Sequence, residues 1–291
     1  MMTMKVRLWP LLVIASLASA TSAWSWTGTH GGSCVSCKNR KGDIVSTLLT
    51  DSYEASSSFV LDPETSEKDV YDNAIERLRI RPHIRIWVQD FIDHFAGKAV
   101  MVNEELPMIF DIGDARRPLG THCEYRQLAA FDDEELRVNQ SLYDAIPTRD
   151  RGALILHEAV YHIARLFPER EITDSKWARK VTGQLISYSQ VSEDNSALMT
   201  SLNRISTNLF RGIYRSGHCR LHVDFDDDRP VLILRKLSKG CEDLGFSRQD
   251  IELNIVWQTG EFRAAEGTTL VPGPNSFYLN GLPFNLVVGT W

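Results

Sequence analysis

The sequence predicts an α+β fold: a helical main domain carrying a small sheet, followed by a small antiparallel, β-rich C-terminal domain. Three observations predict it. Apolar residues recur at three- and four-residue spacing through long runs in the middle of the chain, the period of a helix packed on one face. From Cys219 onward the period falls to two, as in half-buried strands. Glycine follows a polar residue at Thr259-Gly260 and Asn280-Gly281, which marks hairpins, the second favouring a type I′ turn.

Taken in order, the chain opens with Lys5 and Arg7 ahead of an apolar stretch, Leu8 to Leu17, and small residues at Ala18-Ser19-Ala20 and Thr21-Ser22-Ala23. That is the pattern of a cleavable secretory signal over residues 1–23, too short to span a bilayer unaided. The main domain is expected over 24–212 and the β-rich domain over 213–291. Val35 to Lys38 and Asp43 to Leu49 read as a hairpin around Asn39-Arg40-Lys41-Gly42. Ser66 starts a helical run with Glu67 and Asp69 in its first turn. Its stripe continues through Ala74, Leu78, Trp87, Phe91 and Phe95, with Pro82 expected to split it and Gly97 to close it.

Ala99 to Val102, His122 to Ala129 and Leu136 to Val138 are candidate strands. Asn139 or Ser141 starts a short helix that Pro147 ends. Thr148 is placed to cap a longer helix from about Arg149 to Phe167. Thr173 or Asp174 caps a helix to Ile186, and Ser192 another to about Leu209. In the tail, Cys219 to Phe225, Val231 to Leu234 and Ile251 to Trp257 are strands of a sandwich or partial barrel.

Removing the signal takes Lys5 and Arg7 with it and leaves 30 basic against 38 acidic side chains, a net of −8. So acidic a chain lacks the electrostatic footprint of a nucleic-acid binder. In an exported protein an even subset of the five cysteines should pair. Cys219 and Cys241 are neighbours in the tail, and Cys37 with Cys123 is the natural second bridge, which leaves Cys34 over. Cys34-Val35-Ser36-Cys37 also has the spacing of a redox pair, but it lies in a turn-rich stretch rather than the strand-to-helix setting that lowers a thiol pKa.

The segment Leu156-His157-Glu158-Ala159-Val160-Tyr161-His162 is the candidate catalytic stretch. Zinc proteases place two His at i and i+4 so that both face one metal, with the Glu between them polarising water. Here the second His is at i+5, about 140° around a regular helix, and Tyr161 takes the i+4 place. Glu158 and His162 do share a face, with Arg165 one turn on, and such a couple suits general acid–base work or a structural polar cluster. His157 and Tyr161 form a second polar face. Asp224, Asp226 and Asp228 have the opening spacing of a calcium loop, but Arg229-Pro230 and Arg235 break the rest of the pattern and leave a solvated turn.

Gly31-Gly32 followed by Cys37 and a basic turn, then Leu48 to Glu54, resembles the start of a family of uncharacterised exported bacterial proteins. The resemblance continues through Cys123, Glu124 and Gln127, then Val138-Asn139 and Leu142-Tyr143. It is closest from Gly152 to Tyr161 and covers residues 30–190, with the tail as an addition. It implies export and a Cys37–Cys123 bridge, and no activity. In that family Arg usually stands where this chain has His162, which puts the weight on His157, Glu158 and Tyr161.

Two functions are consistent with these residues. One is a non-catalytic envelope or periplasmic protein whose β-rich tail binds a protein or glycan, with no cofactor. The other is a hydrolase, metal-dependent (zinc) or acid–base, using His157, Glu158 and His162.

Overall fold

The computed structural model describes residues 32–55, 60–107, 122–132, 135–166, 175–187, 192–203, 211–226, 228–244, 250–256, 261–265, 267–273 and 276–289. The expected signal segment, Thr173, Asp174 and Thr259-Gly260 lie outside them.

Strands β1 (Ser33–Lys38) and β2 (Ile44–Leu49) form the expected hairpin, and β4 (Cys123–Gln127) pairs on the other side of β1, all antiparallel. The hairpin turn is fixed by the Asn39 side chain, which accepts from the Lys41 and Asp43 N–H groups, and by Gly42 at φ +91°. Cys37 lies directly opposite Cys123 in this ladder and is bonded to it. The short helix α1 (Thr50–Glu54) follows β2 without a break.

Helix α2 (Glu67–Arg77) is capped by Ser66, which accepts from the Asp69 N–H. A 3-10 turn over Leu78–Ile80 separates it from α3 (Pro82–Phe95), because Pro82 lacks an N–H and takes the first helical position. Gly97, at φ +76°, ends the run. Strand β3 (Val100–Val102) runs parallel to β6 (Glu135–Asn139), which pairs with β5 (Ala129–Asp132). The single strand expected over His122 to Ala129 is thus two, broken at Leu128, and its halves join different sheets.

Asn139 caps α4 (Gln140–Ala145) by accepting from the Leu142 N–H. Helix α5 (Thr148–Leu166) begins one residue earlier than expected: Pro147 supplies the first carbonyl, to Asp150 and Arg151, so Thr148 is helical rather than a cap. Helices α6 (Lys176–Leu185) and α7 (Ser192–Leu202) complete the helical part. Helix α5 is its axis, buried from Gly152 through Ala164 and packed on α2, α3 and α6. A Cβ on Gly152 would lie 3.0 Å from Val70 Cβ and 3.2 Å from Glu67 Cα, so glycine sets the α2–α5 approach.

The C-terminal part corrects the expectation of a small sheet, sandwich or partial barrel. Strands β7 (Gly212–Ser216), β8 (Cys219–Phe225), β9 (Val231–Lys236), β10 (Asp250–Val256), β11 (Glu261–Arg263), β12 (Thr269–Gly273), β13 (Ser276–Leu279) and β14 (Leu282–Gly289) form a closed eight-stranded antiparallel barrel. Each strand pairs with the next, and β14 returns to β7. Period two assigns each side chain a face, but closure depends on strand stagger and tilt, which no local pattern encodes.

Tyr214, Phe262, Phe277 and Phe284 fill the interior with Leu221, Val223, Leu234, Leu253 and Leu270, all buried. Outside stand Arg215, Arg220, Arg235, Glu252 and Arg263, the reverse of a lipid-facing barrel. Asn280 and Gly281, at φ +49° and +81°, form the expected type I′ turn. Asp226 is occupied by the N–H groups of Asp228 and Arg229, as in the expected solvated turn. Trp87 of α3 reaches the barrel, its ring edge-on to Phe262 at 5.6 Å and to Phe225 at 6.3 Å. No described helix is long and apolar enough to cross a membrane.

Candidate functional site

The three candidate residues lie on an uninterrupted α-helix, so the two imidazoles diverge. His157 turns toward α1, where its Nδ1 meets Asp51 Oδ2 at 2.7 Å. His162 turns toward α3, with its ring 5.4 Å from that of Phe91. Its Nδ1 lies 2.8 Å from the Glu158 carbonyl; that oxygen only accepts, so the proton sits on Nδ1. The Glu158 carboxylate shares this face, as the spacing predicts, with Oε2 3.9 Å from His162 Nδ1. Tyr161 lies beside His157, their rings nearly parallel at 6.2 Å. The Arg165 side chain lies outside the described residues.

All four side chains are inside the protein: His157 is 2 % exposed, Glu158 0 %, Tyr161 1 % and His162 4 %. Gly32, just before β1, closes over Glu158. A Cβ there would lie 2.3 Å from Leu154 Cδ1 and 3.7 Å from Glu158 Oε1.

Charged groups missed by the sequence reading surround this cluster. Asp51 is the first; it sits inside α1, buried, more than a hundred residues from His157 in sequence. Asp150 accepts from the Leu49 N–H at 2.8 Å, the Ser52 hydroxyl at 2.7 Å and Arg149 Nε at 2.8 Å. Burial, the largest influence, pushes the Asp150 carboxyl up, against the pull of Arg149, Ser52 and the Leu49 N–H. Arg179 of α6 is 1 % exposed and donates to Glu54 at the end of α1 and to Ser175. Asp51, Ser52 and Glu54 thus spend one short helix on tying α5 and α6 to the hairpin. The sequence signal was faint: four polar residues in five, at a place where the chain has no apolar period.

A carboxylate–imidazole pair beside a glutamate can do acid–base chemistry only if a substrate reaches it. A groove of about 530 Å³ does open on the helical part, but its walls come from β4, the segment after β3 and the start of α4. None of His157, Glu158 and His162 lines it. Among the described residues, no three His, Cys, Asp or Glu side chains converge in a metal-binding group.

Cys37–Cys123 and Cys219–Cys241 are the two disulfides, and Cys34 is a free, buried thiol. Cys34 and Cys37 sit three apart on one strand and so point to opposite faces, which rules out their acting as a redox pair. Desolvation pushes the Cys34 thiol up to about 12, against the pull of Arg126. The native protein should therefore show no thiol reactive toward Ellman's reagent at pH 8, and one after denaturation in urea. A thiol that reacts promptly in the native state would show that Cys34 is exposed.

Compared with known protein families, curated proteins and solved structures, the chain matches none.

Proposed function

We propose that this is an exported protein of the periplasm or extracellular space that acts by binding a protein or glycan partner and not by catalysis. The observation that carries this reading is the burial of His157, Glu158 and His162 at 4 % exposure or less, with the imidazoles aimed at different neighbours. Groups so placed hold α1, α3 and α5 in register.

The two disulfides support an oxidising compartment, and the signal-like first 23 residues support export. The outer wall of the barrel supports the binding role. Tyr278 of β13 and Val287 of β14 are about half exposed, apolar side chains among charged strands.

Glu158→Gln tests the reading. If the carboxylate is structural, the variant loses about 1–3 kcal/mol in urea denaturation, the cost of disturbing a buried polar group. Elemental analysis of the purified wild type should find no stoichiometric zinc. One zinc per chain, or a fully stable Glu158→Gln, would restore the hydrolase reading.

A further inference from the structure

We infer that the groove beside β4 is a binding site for a small carboxylate with an apolar body, held by Arg126. This site is distinct from both the His157 cluster and the barrel surface.

Its volume of about 530 Å³ is in the range of small-molecule sites. Leu106, Pro107 and Leu142 give it apolar wall. Its frame is braced. Strand β4 is bonded to β1 through Cys37–Cys123. The Gln127 amide donates to the Gly32 and Ala129 carbonyls at 3.2 and 2.6 Å. The Asn139 amide donates to the Glu104 carbonyl at 2.8 Å, which fixes the start of the 105–107 wall.

Three charged side chains line the groove: Glu105, Glu124 and Arg126. Glu124 is engaged outside it by Lys38 Nζ at 2.8 Å, and that hydrogen bond holds its carboxyl below the usual range. The remaining pair is uneven. Arg126 is largely covered, its side chain 18 % exposed, while its partner Glu105 is 82 % exposed. Arginine presents a rigid fork of donors suited to a carboxylate. An exposed acid contributes little to holding such a pair. Glu105 therefore occupies the place of a ligand carboxylate, and an entering carboxylate displaces it, so that Arg126 keeps one acidic partner while Glu105 swings out into solvent. The same chemistry occurs at a peptide C-terminus and in a free fatty acid.

Isothermal titration calorimetry on the full-length protein tests this with three probes: N-acetyl-L-leucine for a peptide C-terminus, hexanoate for a fatty carboxylate, and neutral N-acetyl-L-leucinamide. At least one acid should bind, and N-acetyl-L-leucinamide at least about tenfold more weakly than N-acetyl-L-leucine if the latter is the acid that binds, the worth of a charge-assisted hydrogen bond. The stronger acid identifies the source. Glu105→Gln, at an exposed position, should bind that acid several-fold tighter, and Arg126→Gln should abolish binding. The inference is overturned if neither acid binds wild type or Glu105→Gln, if N-acetyl-L-leucine binds and its amide binds equally well, or if Glu105→Gln weakens acid binding. If Arg126→Gln does not fold, the Glu105 variant and the acid–amide comparison still decide.

Discussion

Replacing Asp150 by Ala should cost about 3–5 kcal/mol of stability, the penalty for stranding a buried charge. Asp150 is fully buried, and its carboxylate takes N–H or O–H donors from β2, α1 and its own helix. Its neighbour Arg149 is nearly as deep and also donates to the Leu61 carbonyl at 2.7 Å. Deleting the acid leaves that guanidinium uncompensated and cuts the tie between α5 and the hairpin. Because α1 is seated by the same tie, Asp51 should lose its position beside His157.

The measurement is urea denaturation, read as a fall in midpoint at unchanged slope. A double replacement, Arg149→Met with Asp150→Leu, should recover part of the loss, since well-packed apolar residues often replace a buried ion pair without penalty. A cost under about 1 kcal/mol for Asp150→Ala would place it among surface ion pairs and remove it as an anchor.

Trp87→Ala should be comparably damaging, at about 3–5 kcal/mol for truncating a large buried aromatic. Trp87 is 1 % exposed and belongs to α3, yet its ring meets Phe225 and Phe262 of the barrel. The lost volume lies where the two parts meet, so the helical part and the barrel should both be affected. Near-ultraviolet circular dichroism should report loosened aromatic packing, and unfolding followed by helix signal and by hydrogen exchange of the barrel-strand amides should separate into two transitions. A variant that unfolds in one transition at the wild-type midpoint would show that the contact couples nothing.

The candidate site was partly legible. The spacing of Glu158 and His162 put them on one face, and the i+5 spacing of His157 and His162 predicted their divergence; both hold because α5 is regular throughout. Asp51 was not legible as the partner of His157. That pairing exists because β2 runs straight into α1 and delivers the carboxylate to α5, a matter of chain path. Burial was not legible either. A polar triplet on a helix reads the same whether it faces a cleft or the core, and the lid formed by Gly32 comes from a distant segment.

The local elements are written in short stretches of the chain. Ser66 and Asn139 capped their helices, Pro82 split a run and Asn280-Gly281 turned a hairpin. Each follows from backbone geometry or hydrogen bonding within a few residues. Packing between distant segments settles that eight strands close into a barrel, that Trp87 packs against it, and that the His-Glu helix lies out of reach of solvent. Those outcomes depend on strand stagger and on which distant surfaces meet, and the free energy of burying one surface on another is a property of the pair.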